Sequence, residues 1–228
     1  MIELIERINI FEKKKIIQSV VSETQKIFFD NYIYESIDNE QEKGIYISAF
    51  DVLNYAILPL KSNEIKLSVD NIDITIHPNI LYQKITKLLD LIDVENLYVL
   101  SCLKTDFFNS LRYNKHKPLI TAFSKLKKIV GENNYMEALI VNKIYIKDII
   151  EIVFLLSRCD HEMDNILLFD EMERYYFNIC KHGNIHFVEI NGNNIAKEKI
   201  ADIGFKIIEK CYDNFSKTGK IKGRKIEV

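Results

Sequence analysis

The chain contains no tryptophan, and it has only three prolines and seven glycines among 228 residues. Proline and glycine most often interrupt regular structure, so their scarcity favours the predominantly helical fold that the apolar spacing below predicts. No apolar run approaches the roughly 18 residues that a membrane-spanning helix requires. The first residues also lack a signal-peptide pattern. We therefore expect a cytoplasmic protein with no membrane partner.

Cysteine is also scarce, and the pattern of the four cysteines does not indicate a metal site. They are scattered, without a CxxC or a short Cys/His pattern, which argues against a zinc site and against a disulfide scaffold. His182 and His186 are four residues apart, but Gly183 would break a helix that aligned them, and no third ligand is suitably spaced. The sequence thus predicts no metal and no cofactor. The four residues are Cys102, Cys159, Cys180 and Cys211.

The charge is nearly balanced, with a formal net charge of −2. This balance argues against a protein that coats DNA or RNA, so any nucleic-acid site must be local. One positive patch lies near the C-terminus. We interpret it either as a solubilising tail or as a binding site for RNA or an acidic partner. Its candidate binding residues are Lys217, Lys220, Lys222, Arg224 and Lys225.

Apolar residues recur mostly at helical spacing, which predicts a mainly α protein built as a helical bundle. The exception is a small β-hairpin at about residues 65–76, where Ile, Leu and Val alternate with polar residues around Asp70-Asn71. We place a boundary near Pro78, between an N-terminal helical subdomain with the hairpin (1–77) and a bundle with the basic tail (78–228). The predicted helices span about 4–34, 80–92, 94–111, 118–130, 135–181 with at least one interruption, and 196–215.

A charged run interrupts the fifth of these predicted helices. Arg158 is followed by a run of acidic residues and a histidine, at 160–164. We interpret this run as a helix break on the surface. The alternative is a polar cluster that supports the neighbouring motif helix.

The most informative stretch runs from Phe177 to Asn184, where Asn178 and His182 are followed by Gly183. This pattern resembles the end of a helix in HEPN domains, which are helical bundles of bacterial defence, toxin and RNA-processing systems. HEPN nucleases carry Arg-polar-x-x-x-His at this point. Here Phe177 occupies the arginine position, and we expect Phe177 to be buried.

The resemblance implies residue roles for metal-independent RNA cleavage. His182 would be the acid/base and Asn178 would orient a neighbouring group, whereas Phe177 cannot stabilise phosphorane charge. On a continuous helix Arg174 would lie on the same face as His182 and supply a displaced cation.

The missing arginine favours a non-catalytic, protein-binding module of a bacterial defence or toxin system, resembling an immunity protein or antitoxin. Its partner would be a protein such as a toxin, or a second copy in a homodimer. The alternative is a HEPN-type ribonuclease that uses His182, with RNA as its partner. A third interpretation is an unrelated helical protein in which Gly183 only ends a helix.

Overall fold

Eight strands form one antiparallel sheet in the computed structural model, which describes residues 1–70, 73–108, 116–160, 163, 165–213 and 215. The strands are β1 (Ile2–Ile5), β2 (Ser62–Ser68), β3 (Asn96–Ser101), β4 (Ala138–Asn142), β5 (Ile166–Asp170), β6 (Tyr175–Ile179), β7 (Ile185–Ile190) and β8 (Lys206–Ile208). Their order across the sheet is β1-β4-β3-β5-β6-β7-β2-β8.

Helices cover both faces of the sheet. They are α1 (Arg7–Lys13), α2 (Lys15–Phe28), α3 (Asn31–Ser36), α4 (Glu40–Ser48), α5 (His77–Leu91), α6 (Lys117–Val130), α7 (Ile146–Cys159) and α8 (Lys197–Asp202). The larger core lies between the sheet and α5, α6 and α7, and the smaller core lies between the sheet and α1 and α2. We call these two sides the α5–α7 face and the α1–α2 face.

Side chains alternate between the two cores along each strand, as the pleat of a β-strand requires. On β6, Phe177 and Ile179 belong to the larger core, whereas Tyr176 packs against the smaller one. On β2 and β7, the α1–α2 face carries charged side chains beside two buried apolar ones, Val188 and Ile190. The charged side chains belong to the site described below.

The prediction of a mainly α bundle is wrong, because the protein is an α/β fold around a large antiparallel sheet. The predicted helix at 94–111 contains β3, and the predicted helix at 135–181 contains β4, β5 and β6 as well as α7. Central strands that are covered on both faces form continuous apolar runs in the sequence. Apolar periodicity does not distinguish such a run from a buried helix. In the described part of the predicted helix at 196–215, the structure has α8 and then β8.

The predicted hairpin is also wrong in its pairing. Its first half is β2, but β2 pairs with β7 and β8, and residues 74–76 form turns. Residues 71 and 72 lie outside the described part of the chain. The boundary at residue 77 stays a prediction, although strands from both sides of it lie in the same sheet.

Two predictions from local helix signals, the start of α5 and the end of α6, are confirmed. Pro78 lies in the first turn of α5, and α6 ends at Val130 before Gly131 adopts a left-handed conformation. Among the described helices, none is long and apolar enough to cross a membrane. The basic residues of the tail, 217–225, lie outside the described residues.

Candidate metal centre

The segment that resembled a HEPN helix is a β-hairpin, so that resemblance is wrong. Residues 175–179 form β6 and residues 185–190 form β7, with Asn178 paired to His186. Between the strands, the N–H of Gly183 donates to the carbonyl of Cys180 at 2.8 Å. Gly183 has φ +77, which lets the chain turn back. The Asn178–His182 spacing is therefore not that of a helix face.

The residues predicted for RNA cleavage do not come together. Arg174 precedes β6 and donates to the carboxylate of Asp170 at 3.0 Å, whereas His182 lies in the turn after β6. Asn178 lies on the α1–α2 face of β6. The prediction that Phe177 is buried is confirmed, since only 2% of it is exposed.

The hairpin instead helps to bring together Cys180, His186 and Cys211, three side chains of the types that ligate metal ions. One ligand atom from each residue lies within 4.8 Å of the other two. The Sγ atom of Cys211 is 3.3 Å from Nε2 of His186. Two sulfurs and an imidazole nitrogen are the donors that zinc prefers in proteins, and they leave one of its four positions open.

A carboxylate fixes the orientation of the imidazole. Glu64 on β2 accepts a hydrogen bond from Nδ1 of His186. With its proton on Nδ1, neutral His186 directs the lone pair of Nε2 toward the sulfurs. A carboxylate on the far nitrogen of a histidine ligand is the usual outer-shell partner in zinc sites.

Cys180 is polarised toward the thiolate. A hydrogen bond from the Cys211 thiol lowers the pKa of Cys180, and hydrogen bonds from His186 and from the backbone N–H of His182 lower it further. The same Cys180–Cys211 contact raises the pKa of Cys211. Hydrogen bonds to Cys180 and Glu64 raise the pKa of His186. A metal bound by these three side chains would displace their protons.

Arg158 in the last turn of α7 connects the two segments that carry the cysteines. Its guanidinium donates to the carbonyl of Lys181 at 2.8 Å and to the carboxylate of Asp213 at 3.1 and 3.2 Å. It also lies 4.8 Å from the ring centroid of Phe215. Arg158 is 5% exposed, so the expected surface position of this residue is wrong, although α7 does end at Cys159.

Two further contacts hold the same region. The side-chain amide of Asn184 donates to the carbonyl of Tyr212 at 2.9 Å. Nε2 of His77, at the start of α5, lies 3.1 Å from the carbonyl of Gly183. Burial lowers the pKa of His77 from 6.5 to about 4, so His77 is neutral and donates this hydrogen bond at neutral pH.

The three ligands line a cavity of about 460 Å³, which lies within the usual range for small-molecule sites. His182 is in its wall, and Nδ1 of His182 is buried without a hydrogen-bond partner among the described residues. Cys180 and His186 also line a neighbouring groove of about 480 Å³, together with Glu64 and Asn178. We call the first space the ligand cavity.

The sequence did not reveal this centre because the contributing residues are distant in sequence. Cys180 and His186 flank a hairpin turn. A strand-turn-strand interpretation of 175–190 would have placed these two side chains close together. Glu64 lies 122 residues before His186, and only sheet register brings the two together. Cys211 comes from an irregular segment after β8. No sequence pattern predicts which part of the fold such an irregular segment contacts.

The comparisons with known proteins identify no relative. No protein-family model matches the chain, and neither a curated protein nor a solved structure gives a significant match.

Proposed function

We propose that the protein binds a zinc-type divalent cation through Cys180, His186 and Cys211, in a centre that keeps one coordination position open. The observation that supports this proposal is the convergence of two sulfurs on the imidazole whose far nitrogen is held by Glu64. A catalytic pair made of a thiol nucleophile and a histidine base would need only one thiol. The second thiol and the outer carboxylate complete the donor set of a metal site.

The test is zinc binding by the metal-free full chain, measured by competition with a chromophoric chelator and by metal content. We expect one zinc per chain. The variants Cys180→Ser, His186→Ala and Cys211→Ser should each lose more affinity than the about 10- to 100-fold that outer-shell changes cost. Glu64→Gln should fall within that smaller range. Zinc affinity should also decrease as the pH is lowered, since the ligands bind metal without their protons.

Cys159→Ala is the matched control, because Cys159 is a buried thiol outside the group. Its zinc affinity should equal that of the unchanged chain. Wild-type affinity in the Cys211→Ser variant would show that the third donor has no part in metal binding, and would contradict the proposal.

A second candidate function is thiol-dependent catalysis, favoured by the lowered pKa of Cys180 and the Cys180–His186–Glu64 arrangement beside a cavity. The same experiment separates the two functions. In the metal site, zinc protects both Cys180 and Cys211 from iodoacetamide. A nucleophilic Cys180 that reacts rapidly at pH 6, with or without zinc, would instead support catalysis. The protein-binding role expected from the sequence stays a prediction that none of the described contacts tests.

A further inference from the structure

The lysine side chains that line the ligand cavity are all positively charged. Lys66, Lys181 and Lys210 line the cavity, and no aspartate or glutamate among the described residues does. Two thiolates would cancel the charge of a divalent ion held by Cys180 and Cys211. Among the described residues that line the cavity, the lysines therefore give a ligand its favourable electrostatic contacts, and these contacts favour an anion.

Lys66 has a fixed relation to the metal centre. It lies directly opposite His186 in the pairing of β2 with β7, so both side chains project from the same face of the sheet. Its ammonium donates to the backbone carbonyl of Glu209 at 3.4 Å, and it forms no ion pair with a described carboxylate. Glu64, two residues earlier, is engaged by His186. The charge of Lys66 is thus available to a ligand.

Lys181 and Lys210 come from the two segments that carry the cysteines, each next to a ligand in sequence. Neither ammonium has an ion-pair partner among the described residues, and both side chains are exposed. Lysine binds phosphate groups as a point charge from a flexible stem. Three such groups around one cavity suit a multiply charged oxyanion better than a neutral ligand.

We propose that the ligand cavity binds the phosphate group of a small molecule, with one phosphate oxygen at the open position of the metal and Lys66 and Lys210 around the others. This inference rests on the proposed metal site. The cavity extends past the metal ligands to Ile179 and Met163, which give the remainder of such a molecule an apolar wall.

The test uses the full chain loaded with one equivalent of Co²⁺, with free metal removed, and titrated with inorganic phosphate at constant ionic strength. Co²⁺ replaces zinc as a visible-absorbing ion, so its spectrum reports a new ligand. We expect a saturable spectral change with phosphate and none with chloride. Lys66→Met and Lys210→Met should each weaken phosphate binding by about tenfold, the scale of one charge-assisted hydrogen bond.

Lys128→Met is the matched control, since Lys128 is an exposed lysine on α6, in the helical layer of the α5–α7 face. It should leave phosphate binding unchanged, and none of the three substitutions should change Co²⁺ stoichiometry. A Co²⁺ spectrum that phosphate does not alter, or a phosphate response that both lysine variants retain, would overturn this inference while the metal site stands. Failure to bind Co²⁺ at all would overturn the proposed metal site itself.

Discussion

Gly183 shows how a single residue shapes the proposed metal centre. Its φ of +77 turns the chain between Cys180 and β7, and its surroundings leave no room for a side chain. A Cβ atom there would lie 2.7 Å from Nε2 of His77 and 3.1 Å from the Phe154 ring. Glycine is thus required both by backbone conformation and by close packing.

We expect Gly183→Ala to lower the free energy of unfolding by about 2–5 kcal/mol, as the sum of left-handed strain and overpacking. Zinc affinity should fall with it, because the turn carries Cys180. Urea unfolding and chelator competition measure the two effects.

Gly192→Ala is the control for this prediction. Gly192 has φ +82 but nothing within 4 Å of its Cβ position, so its alanine variant should show the strain alone, about 1–2 kcal/mol. Equal losses in both variants would show that the contacts with His77 and Phe154 relax freely.

At the scale of elements, the last turn of α7 holds together two segments that are not neighbours in sequence. Arg158 binds the carbonyl of Lys181, beside Cys180, and the carboxylate of Asp213, two residues after Cys211. Both side chains of the ion pair are almost fully buried. The geometry of the proposed metal ligands therefore depends on a helix that supplies none of them.

We expect Arg158→Met to cost about 3–5 kcal/mol of stability, because it leaves the Asp213 carboxylate buried without its cation. It should also lower zinc affinity by about tenfold or more, the lower end of outer-shell effects. The double variant Arg158→Met/Asp213→Leu should recover much of the stability in urea unfolding but not the zinc affinity. If Arg158→Met keeps the affinity of the unchanged chain, the ion pair supports the fold without positioning the ligands.

Individual helices and strands also show how much of the structure the sequence could predict. Pro78 and Gly131 act through local backbone chemistry, so the start of α5 and the end of α6 were predictable. The order Tyr175 to Ile179 has the two-residue alternation of a strand, but a five-residue run is too short to exclude a helix without knowledge of its partners. The metal centre depends on such partners, β2 for Glu64 and the segment after β8 for Cys211. Its residues could not be grouped before the sheet order was known.

For the whole molecule, stability is coupled to pH through His77. The side chain is 1% exposed, and burial lowers its pKa from 6.5 to about 4. Below pH 6.5 the unfolded chain binds a proton at this residue that the folded protein excludes. Folding is therefore penalised as the pH falls from 6.5 toward 4, and the penalty is absent above pH 6.5.

The full penalty is about 3 kcal/mol, since a difference of one pKa unit corresponds to roughly 1.4 kcal/mol. Urea unfolding of the unchanged chain and of His77→Gln, at pH 7 and at pH 4.5, measures it. Glutamine keeps an N–H for the Gly183 carbonyl but does not titrate, so the variant should lose less stability between the two pH values. Among the described residues, Arg158 and Asp213 are the charged groups that act on His77, and both remain in the variant. Parallel pH profiles for the two proteins would contradict a neutral, buried His77.

The position of β2 in the sheet makes it wait during synthesis for the strands that pair with it. β2 lies between β7 and β8, and Glu64 precedes His186 by 122 residues. At about 5–20 residues per second, a ribosome takes roughly 6–24 s to produce that stretch. During this interval β2 has none of its final neighbours. The proposed metal centre needs Glu64 beside His186 and Cys211 from still later in the chain, so it is among the last parts to assemble. An ion bound there would mark a chain that has finished folding.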